Sequence, residues 1–392
     1  MKYWRGYLVA AIVAAFTWGL IKFAEAHTVL IDMIYPYVTR MLVASLADWS
    51  SAVDVCLWQV FALLLGVGVL ASIVLMILLR WNPIQWFGWL LAIASCVYML
   101  HTAIYGLNYY AGDLADDIHL EVRESTVTEL KEATIFYRDQ ANALANKIDR
   151  NADGTPQYPS FEELAEQVGE GFHILTYEKS IPIFAGSTVP VKKLGWSDMY
   201  TSMGISGFTF ALTGEAAVNP QMPSVSLPFT MCHEMAHRMS IASEQDANFA
   251  AFLACSVNPS TEIQYSAYFM AYRYCYNALA SVGTSTAREA AEQVKDGLND
   301  NFRQDLADYN AFLSSSQKQE AVNVATTVND TYLKTSGEEQ GTASYGMVCD
   351  LLVSWHIQEY VLPLHADQEV SFDPYDETQV DLSGIVNAPV QE

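Results

Sequence analysis

Positive charge is scarce in this sequence. Its 392 residues carry 20 Lys and Arg against 44 Asp and Glu, a net charge of −24 at pH 7. Phosphate contacts need clustered Lys and Arg, so nucleic acid is not an expected partner. Charge of either sign is thin at 16%, while apolar residues reach 52%, high for a soluble chain of this length. The six cysteines (Cys56, Cys96, Cys232, Cys255, Cys275 and Cys349) form no C-x-x-C pair, which excludes a zinc ribbon or a dithiol redox motif. Buried free thiols are the expectation for them, with one or two disulfides open in an oxidising compartment. No internal repeat is visible, which excludes a solenoid.

What is present is unevenly spread. Seven of the nine tryptophans lie before residue 90, among three apolar runs at about 7–24, 56–79 and 86–107. Each run is adequate to span a bilayer, with Lys22 snorkelling from the first. A cleaved signal peptide is the alternative for that first run, because Ala24-Glu25-Ala26 resembles a cleavage site. Lys2 and Arg5 precede the first run, and Arg80 stands in the turn between the second and third. The positive-inside rule puts those ends in the cytoplasm and everything after the third run outside it. The expected architecture is a membrane anchor over residues 1–110 with three transmembrane helices, then an extracytoplasmic domain over 111–392. The lipid bilayer is one partner. The anchor carries five basic and four acidic residues, leaving 15 basic against 40 acidic beyond it.

The domain reads as mainly α with a small β-sheet. A long amphipathic helix is expected over 114–148. Asp149, Asn151, Asp153 and Gly154 then open like a calcium-binding loop, but Ser160 stands where a bidentate carboxylate belongs, so a plain turn is preferred. Ser160 and Glu163 form a capping box for the next helix. Alternation and glycines over 204–223 read as a hairpin. Glu215 and Asn219 either line a cleft or end that hairpin. Helices follow at about 227–240, 243–257, 261–281, 285–312, 316–333 and 343–362, before an acidic tail.

The stretch "CHEMAHRMSIASEQDAN" (232–248) carries the chemistry. His233 and His237 are four apart on one helical face and can reach one zinc ion, with Glu234 beside them as general base. A catalytic zinc needs a third protein ligand. Glu244 and Asp246 compete for it after the short connection. Ser243 and Asp246 match an S-x-x-D capping pair, which leaves Glu244 as the expected ligand and Asp246 as the alternative. Asn248 shares a face with Glu244 and is a supporting candidate. A donor to steady an oxyanion is also expected. His356, Tyr345 and Tyr332 are the candidates, with helix packing the preferred reading for each.

Glu244-Gln245-Asp246-Ala247-Asn248 after H-E-x-x-H is similar to the third-ligand helix of gluzincin metallopeptidases, though those families usually separate the two motifs by a longer stretch. Nearly the full length also resembles an uncharacterised bacterial membrane-protein family known only as a domain of unknown function. The likeness runs through the membrane front, "GLNYY" (106–110), "GISGFTFALTGEAAVN" (204–219), "LPFTMCHEMAHRMSIASEQDANFAAFLAC" (227–255) and "VNDTYLK…ASYGMVCDLL" (328–352). Two positions depart from it, with Ser240 in place of glycine and Asp246 in place of glutamate. The resemblance implies a zincin-like fold, a zinc cofactor and a peptide or protein substrate. The alternative function is a non-catalytic, sensor or transducer membrane protein that retains a zinc-binding domain.

Overall fold

The computed structural model describes residues 2–338 and 344–364. It opens with four helices, α1 (Arg5–Ala26), α2 (Thr28–Ser50), α3 (Leu57–Leu78) and α4 (Pro83–Ile104), all long and apolar enough to cross a membrane. The second lies between the first two apolar runs, where the sequence reading gives no helix. Asp32, Arg40 and Asp48 interrupt its hydrophobic run, but each bonds the folded body. Asp32 accepts from Gly112 N (2.8 Å), Arg40 donates to Met239 O (3.2 Å) and Pro182 O (2.7 Å), and Asp48 accepts from Ser187 Oγ (3.3 Å).

Small residues let α1 and α4 approach closely. Gly6 lies directly against Gly88, and Tyr7 against Phe87. At the other end, Ala24 packs with Ile31 and Leu107. Start meets start and end meets end, so α1 and α4 run parallel. The turn 79–82 joins α3 to α4. Asn82 caps α4 by accepting from Gln85 N (3.1 Å), and Pro83 follows at the first helical position. Trp86 Nε1 donates to Ser72 Oγ (3.1 Å), tying the two helices near that turn.

Beyond a 3₁₀ turn (Gly106–Tyr110) come α5 (Leu114–Asp117) and α6 (Val127–Ala145). The single helix expected over 114–148 is thus split, because Thr126 and Glu129 form a capping box that starts α6 afresh. In the turn after α6, Asp153 Oδ1 is turned inward onto Thr155 N (3.0 Å) and Thr155 Oγ1 (2.7 Å). Ser160 and Glu163 cap α7 (Phe161–Gln167), followed by α8 (Gly169–Tyr177). Then come β1 (Lys192–Lys193), α9 (Ser197–Ser202), β2 (Gly207–Phe210) and β3 (Glu215–Val218). The sheet order is β1-β3-β2, parallel between β1 and β3 and antiparallel in the β2–β3 hairpin.

The remaining helices are α10 (Leu227–Arg238), α11 (Glu244–Val257), α12 (Thr261–Ser281), α13 (Ser285–Asp296), α14 (Asp300–Ser316), α15 (Gln319–Ser336) and α16 (Ser344–His356), the last continuing as a π-helical turn. Asn299 caps α14 and breaks the helix expected over 285–312. One apolar core runs from Leu114 to Val353, with Met231, Met235, Phe249, Phe252 and Phe269 buried in it. The acidic tail lies outside the described residues.

Glu215 ends neither in a cleft nor in a simple hairpin cap. Its buried carboxylate accepts from Leu57 N (2.7 Å), Trp58 N (2.9 Å), Lys192 Nζ (2.7 Å) and Thr213 Oγ1 (2.7 Å). It therefore caps α3 and satisfies two amides that a helix start leaves unpaired. Lys192 Nζ also donates to Ser50 O (2.8 Å) and Val55 O (3.0 Å). Asn219 does end the hairpin, accepting from Gln221 N (3.1 Å) and donating to Thr201 Oγ1 (2.7 Å).

Candidate metal centre

Helix α10 stops in a way that builds the site. Ser240 N–H donates to His237 O (3.0 Å) and Ile241 N–H to Ala236 O (3.2 Å), while Ser240 takes φ +70°. This is the paired bonding of a Schellman close, which favours glycine at the left-handed position. Serine is held there by its hydroxyl, 3.1 Å from Thr39 Oγ1 on α2. The reversal brings Glu244, the first residue of α11, back over the end of α10.

His233, His237 and Glu244 converge, the one group of three or more potential metal-ligating residues found among the described residues. His237 Nδ1 donates to Ile241 O (2.8 Å), which orients the ring and leaves Nε2 facing the other two groups. That Nε2 lies 3.1 Å from His233 Nε2 and 3.5 Å from Glu244 Oε2, and His233 Nε2 lies 3.3 Å from Glu244 Oε2. A tetrahedron with zinc bonds of about 2.0–2.1 Å has edges of about 3.3–3.4 Å, so the triangle matches one face. Glu244 Oε2 is buried without a hydrogen-bond partner, as expected of an atom that awaits a cation. Two imidazoles and one carboxylate are a donor set suited to zinc.

The charges are coupled. Burial alone would raise the Glu244 carboxyl, but His237 and His233 outweigh it and hold it well below the usual range. Burial would lower His237, yet Glu244 brings it up to about 9. Glu234 is raised by burial, against the pull of both histidines and of Thr209. Its Oε2 accepts from Thr209 Oγ1 (2.7 Å) on β2. Gly207, also on β2, lies so close to this carboxylate that any Cβ there would overlap it.

The other candidates make contacts of their own. Asp246 does not form the expected capping pair, since Ser243 makes no side-chain cap on α11. Its Oδ2 instead accepts from Leu114 N (3.2 Å), and the side chain lines a cavity of about 330 Å³ with Asp32, Asp113, Asp117 and Glu338. Asn248 accepts from Tyr274 Oη (3.1 Å). Tyr332 bonds His101 Nε2 (3.1 Å) and packs edge-on against Tyr109. His356 stacks among Phe136, Tyr137 and Tyr360. Its neighbour Trp355 packs on Phe252, eight residues or about 12 Å along α11 from Glu244. The side chain of Tyr345 lies outside the described residues.

Three neighbours escaped the sequence reading. Thr209 and Gly207 sit against Glu234, and Tyr105 Oη lies 3.4 Å from His237 Nδ1. Only the closeness of "GISGFTF" to the H-E-x-x-H helix could have flagged the first two, and nothing local marks Tyr105.

Cys232 and Cys255 stand behind the site as buried thiols, their sulfurs 3.3 Å apart.

Comparison with curated proteins and with solved structures gave no match. A family model described as a protein of unknown function, DUF3810, matches residues 31–353, from α2 into α16. The match covers most of the chain and both helices that carry His233, His237 and Glu244, and the chain therefore belongs to the DUF3810 family.

Proposed function

We propose that this protein is a membrane-anchored, zinc-dependent peptidase with a zincin-like, specifically gluzincin-like, site. The observation that carries this reading is the triangle of His233, His237 and Glu244 ligand atoms, with edges of 3.1, 3.3 and 3.5 Å, on helices joined by a tight turn. Zinc, when bound, supplies a Lewis acid that acidifies water and polarises a carbonyl. The chain's own contribution is proton handling and alignment. Glu234, held by Thr209, takes a proton at its carboxylate and delivers it to the leaving amine. Strand β2 is an edge of the sheet and touches Glu234 through Gly207 and Thr209. Its outer edge offers backbone groups to an extended peptide, so the substrate class is a peptide or protein segment.

The charge distribution supports an extracytoplasmic site. Lys2 and Arg5 at the start of α1, and Arg80 between α3 and α4, lie at one end of the bundle, because Gly6 meets Gly88. The body of the protein joins the opposite end. Positive residues favour the cytoplasmic side, which supports an extracytoplasmic position for His233, His237 and Glu244.

The test uses the full-length protein in detergent or nanodiscs. One zinc per chain and cleavage of a peptide library are expected. Glu234→Gln should keep the zinc and lower cleavage by about 10²–10⁴-fold, the usual contribution of a general base. Bound zinc with no cleavage, or with cleavage indifferent to Glu234→Gln, would return the chain to the alternative of a metal-holding sensor or transducer.

A further inference from the structure

The geometry points to α2 as a helix that lies in the plane of the membrane surface and does not cross it, with its outer face immersed in the lipid interface. This inference is independent of catalysis.

The first support is directional. Because α1 and α4 run parallel, the chain between them must cross the membrane an odd number of times. Two helices, α2 and α3, fill that interval, so they cannot both cross. The start of α3 is bound to the folded body, through Glu215 to Leu57 N and Trp58 N and through Gln59 Nε2 to Gly195 O (3.2 Å). Its end joins α4 through the turn 79–82, at the far end of the bundle. Helix α3 therefore runs from the body side to the far side, and it carries no ionisable residue. The end of α1 is also on the body side, where Ala24 meets Leu107. Both ends of α2 are consequently on one side.

The second support is contact along the length of α2. Asp32, Thr39, Arg40 and Asp48 bond Gly112, Ser240, Met239 and Ser187 of the body in succession. Val43 and Ala47 lie directly against Gly214. A helix held by the body from its first turns to its last has no stretch left to cross a bilayer.

The third support identifies the occupant of the other face. Val29 (74% exposed), Met33 (65%), Val38 (58%), Met41 (73%) and Trp49 (61%) form an uncovered apolar ridge, with Leu30, Ile34, Tyr37 and Leu42 beside it. At about 100° per residue these positions wind around a broad arc of the helix, and most of them lie away from Thr39, Val43 and Ser50, which turn into the body. The 23 residues of α2 make that ridge about 34 Å long. Helix α1 leaves its start after a single residue, His27, and α3 leaves its end after residues 51–56. Both of those helices enter the membrane, so the ridge is continuous with the lipid boundary at each end. An apolar face opposite a charged, bonded face is the pattern of an interfacial helix.

The test places cysteines at His27 and Ala52, the exposed flanks of α2, and at Asn151 on the body, one at a time in the full chain. An impermeant maleimide is applied to sealed vesicles of either orientation, with the unsubstituted protein as background. Labelling of all three from the same side is expected. Opposite sidedness of the His27→Cys and Ala52→Cys labels would overturn the inference. Spin labels at Met33→Cys and Met41→Cys in nanodiscs then read depth through collisions with oxygen and a water-soluble nickel complex. Equal, shallow depths at both sites are expected. A depth gradient between them, or full water access at both, would remove the lipid surface as the partner; so would protection by a second copy of the chain.

Discussion

Removing the Glu244 carboxylate tests the proposed zinc site at the corner supplied by α11. Edges of 3.1, 3.3 and 3.5 Å define a triangle whose corners lie about 1.9 Å from its centre. An ion bonded at about 2.0–2.1 Å to each corner then sits roughly 0.7 Å above the plane, the height a regular tetrahedron requires. The spacing of the three ligand atoms is thus compatible with the proposed zinc. Structural zinc sites bind with about 10–16 kcal/mol across four ligands, or roughly 3–4 kcal/mol per ligand. Glu244→Ala should therefore weaken zinc binding by about 10²–10³-fold. The assay is equilibrium dialysis of the full chain against chelator-buffered zinc, with metal read by atomic emission and folding checked by thermal melting. X-ray absorption on the unsubstituted protein should show a first shell of nitrogen and oxygen at about 2.0–2.1 Å, without sulfur. If Glu244→Ala binds zinc as tightly as the parent, or if Asp246→Ala produces the same loss, the ligand assignment is refuted.

Two further predictions concern the frame around the site. Asp246 is pushed up to about 8, by burial first and then by Asp113 and other acidic neighbours. The folded state thus holds a proton that the unfolded state releases near pH 4, so stability should fall as pH rises from about 4 to 8. Asp246→Asn should flatten that slope and melt higher than the parent at pH 8, with a gain on the order of a few kcal/mol. Parallel melting curves for the two proteins at pH 5 and pH 8 would contradict this. Glu215→Ala strands Lys192 in a buried site and uncaps α3. A loss of about 3–5 kcal/mol is expected, or a melting point lower by roughly 10 °C. The double variant Lys192→Met with Glu215→Leu should recover much of it, and failure to recover would show that the cap on α3, rather than the ion pair, dominates.

Parts of this architecture are legible in the sequence alone. The i, i+4 histidines and a carboxylate soon after a turn are local features, and local spacing governs which side chains can meet. The apolar runs of α1, α3 and α4 were legible for the same reason. Helix α2 was not, because Asp32, Arg40 and Asp48 read as breaks in a hydrophobic run until their partners at Gly112, Met239, Pro182 and Ser187 are known. The Ser243–Asp246 capping pair failed in the opposite way. Its four-residue pattern is sound, but a backbone amide at Leu114, distant in sequence, binds the aspartate instead. Glu215 was misread for the same cause, since the amides it caps belong to a helix made long before it in the chain.

That cap also orders events during synthesis. Helix α3 emerges and enters the bilayer while Glu215 is still unmade, so its first amides wait in the wet interface. When β3 appears, its carboxylate and Lys192 seat on a helix end that exists only if the membrane segment is already in place. Helix α10 begins at Leu227, only a few residues after β3 ends at Val218, and β2 of the same sheet supports Glu234. Convergence of His233, His237 and Glu244 is thereby tied to correct insertion of α3. A chain stranded away from the membrane would lack the anchor point on which its sheet is assembled, so the proposed zinc site would form only in copies that have reached the lipid.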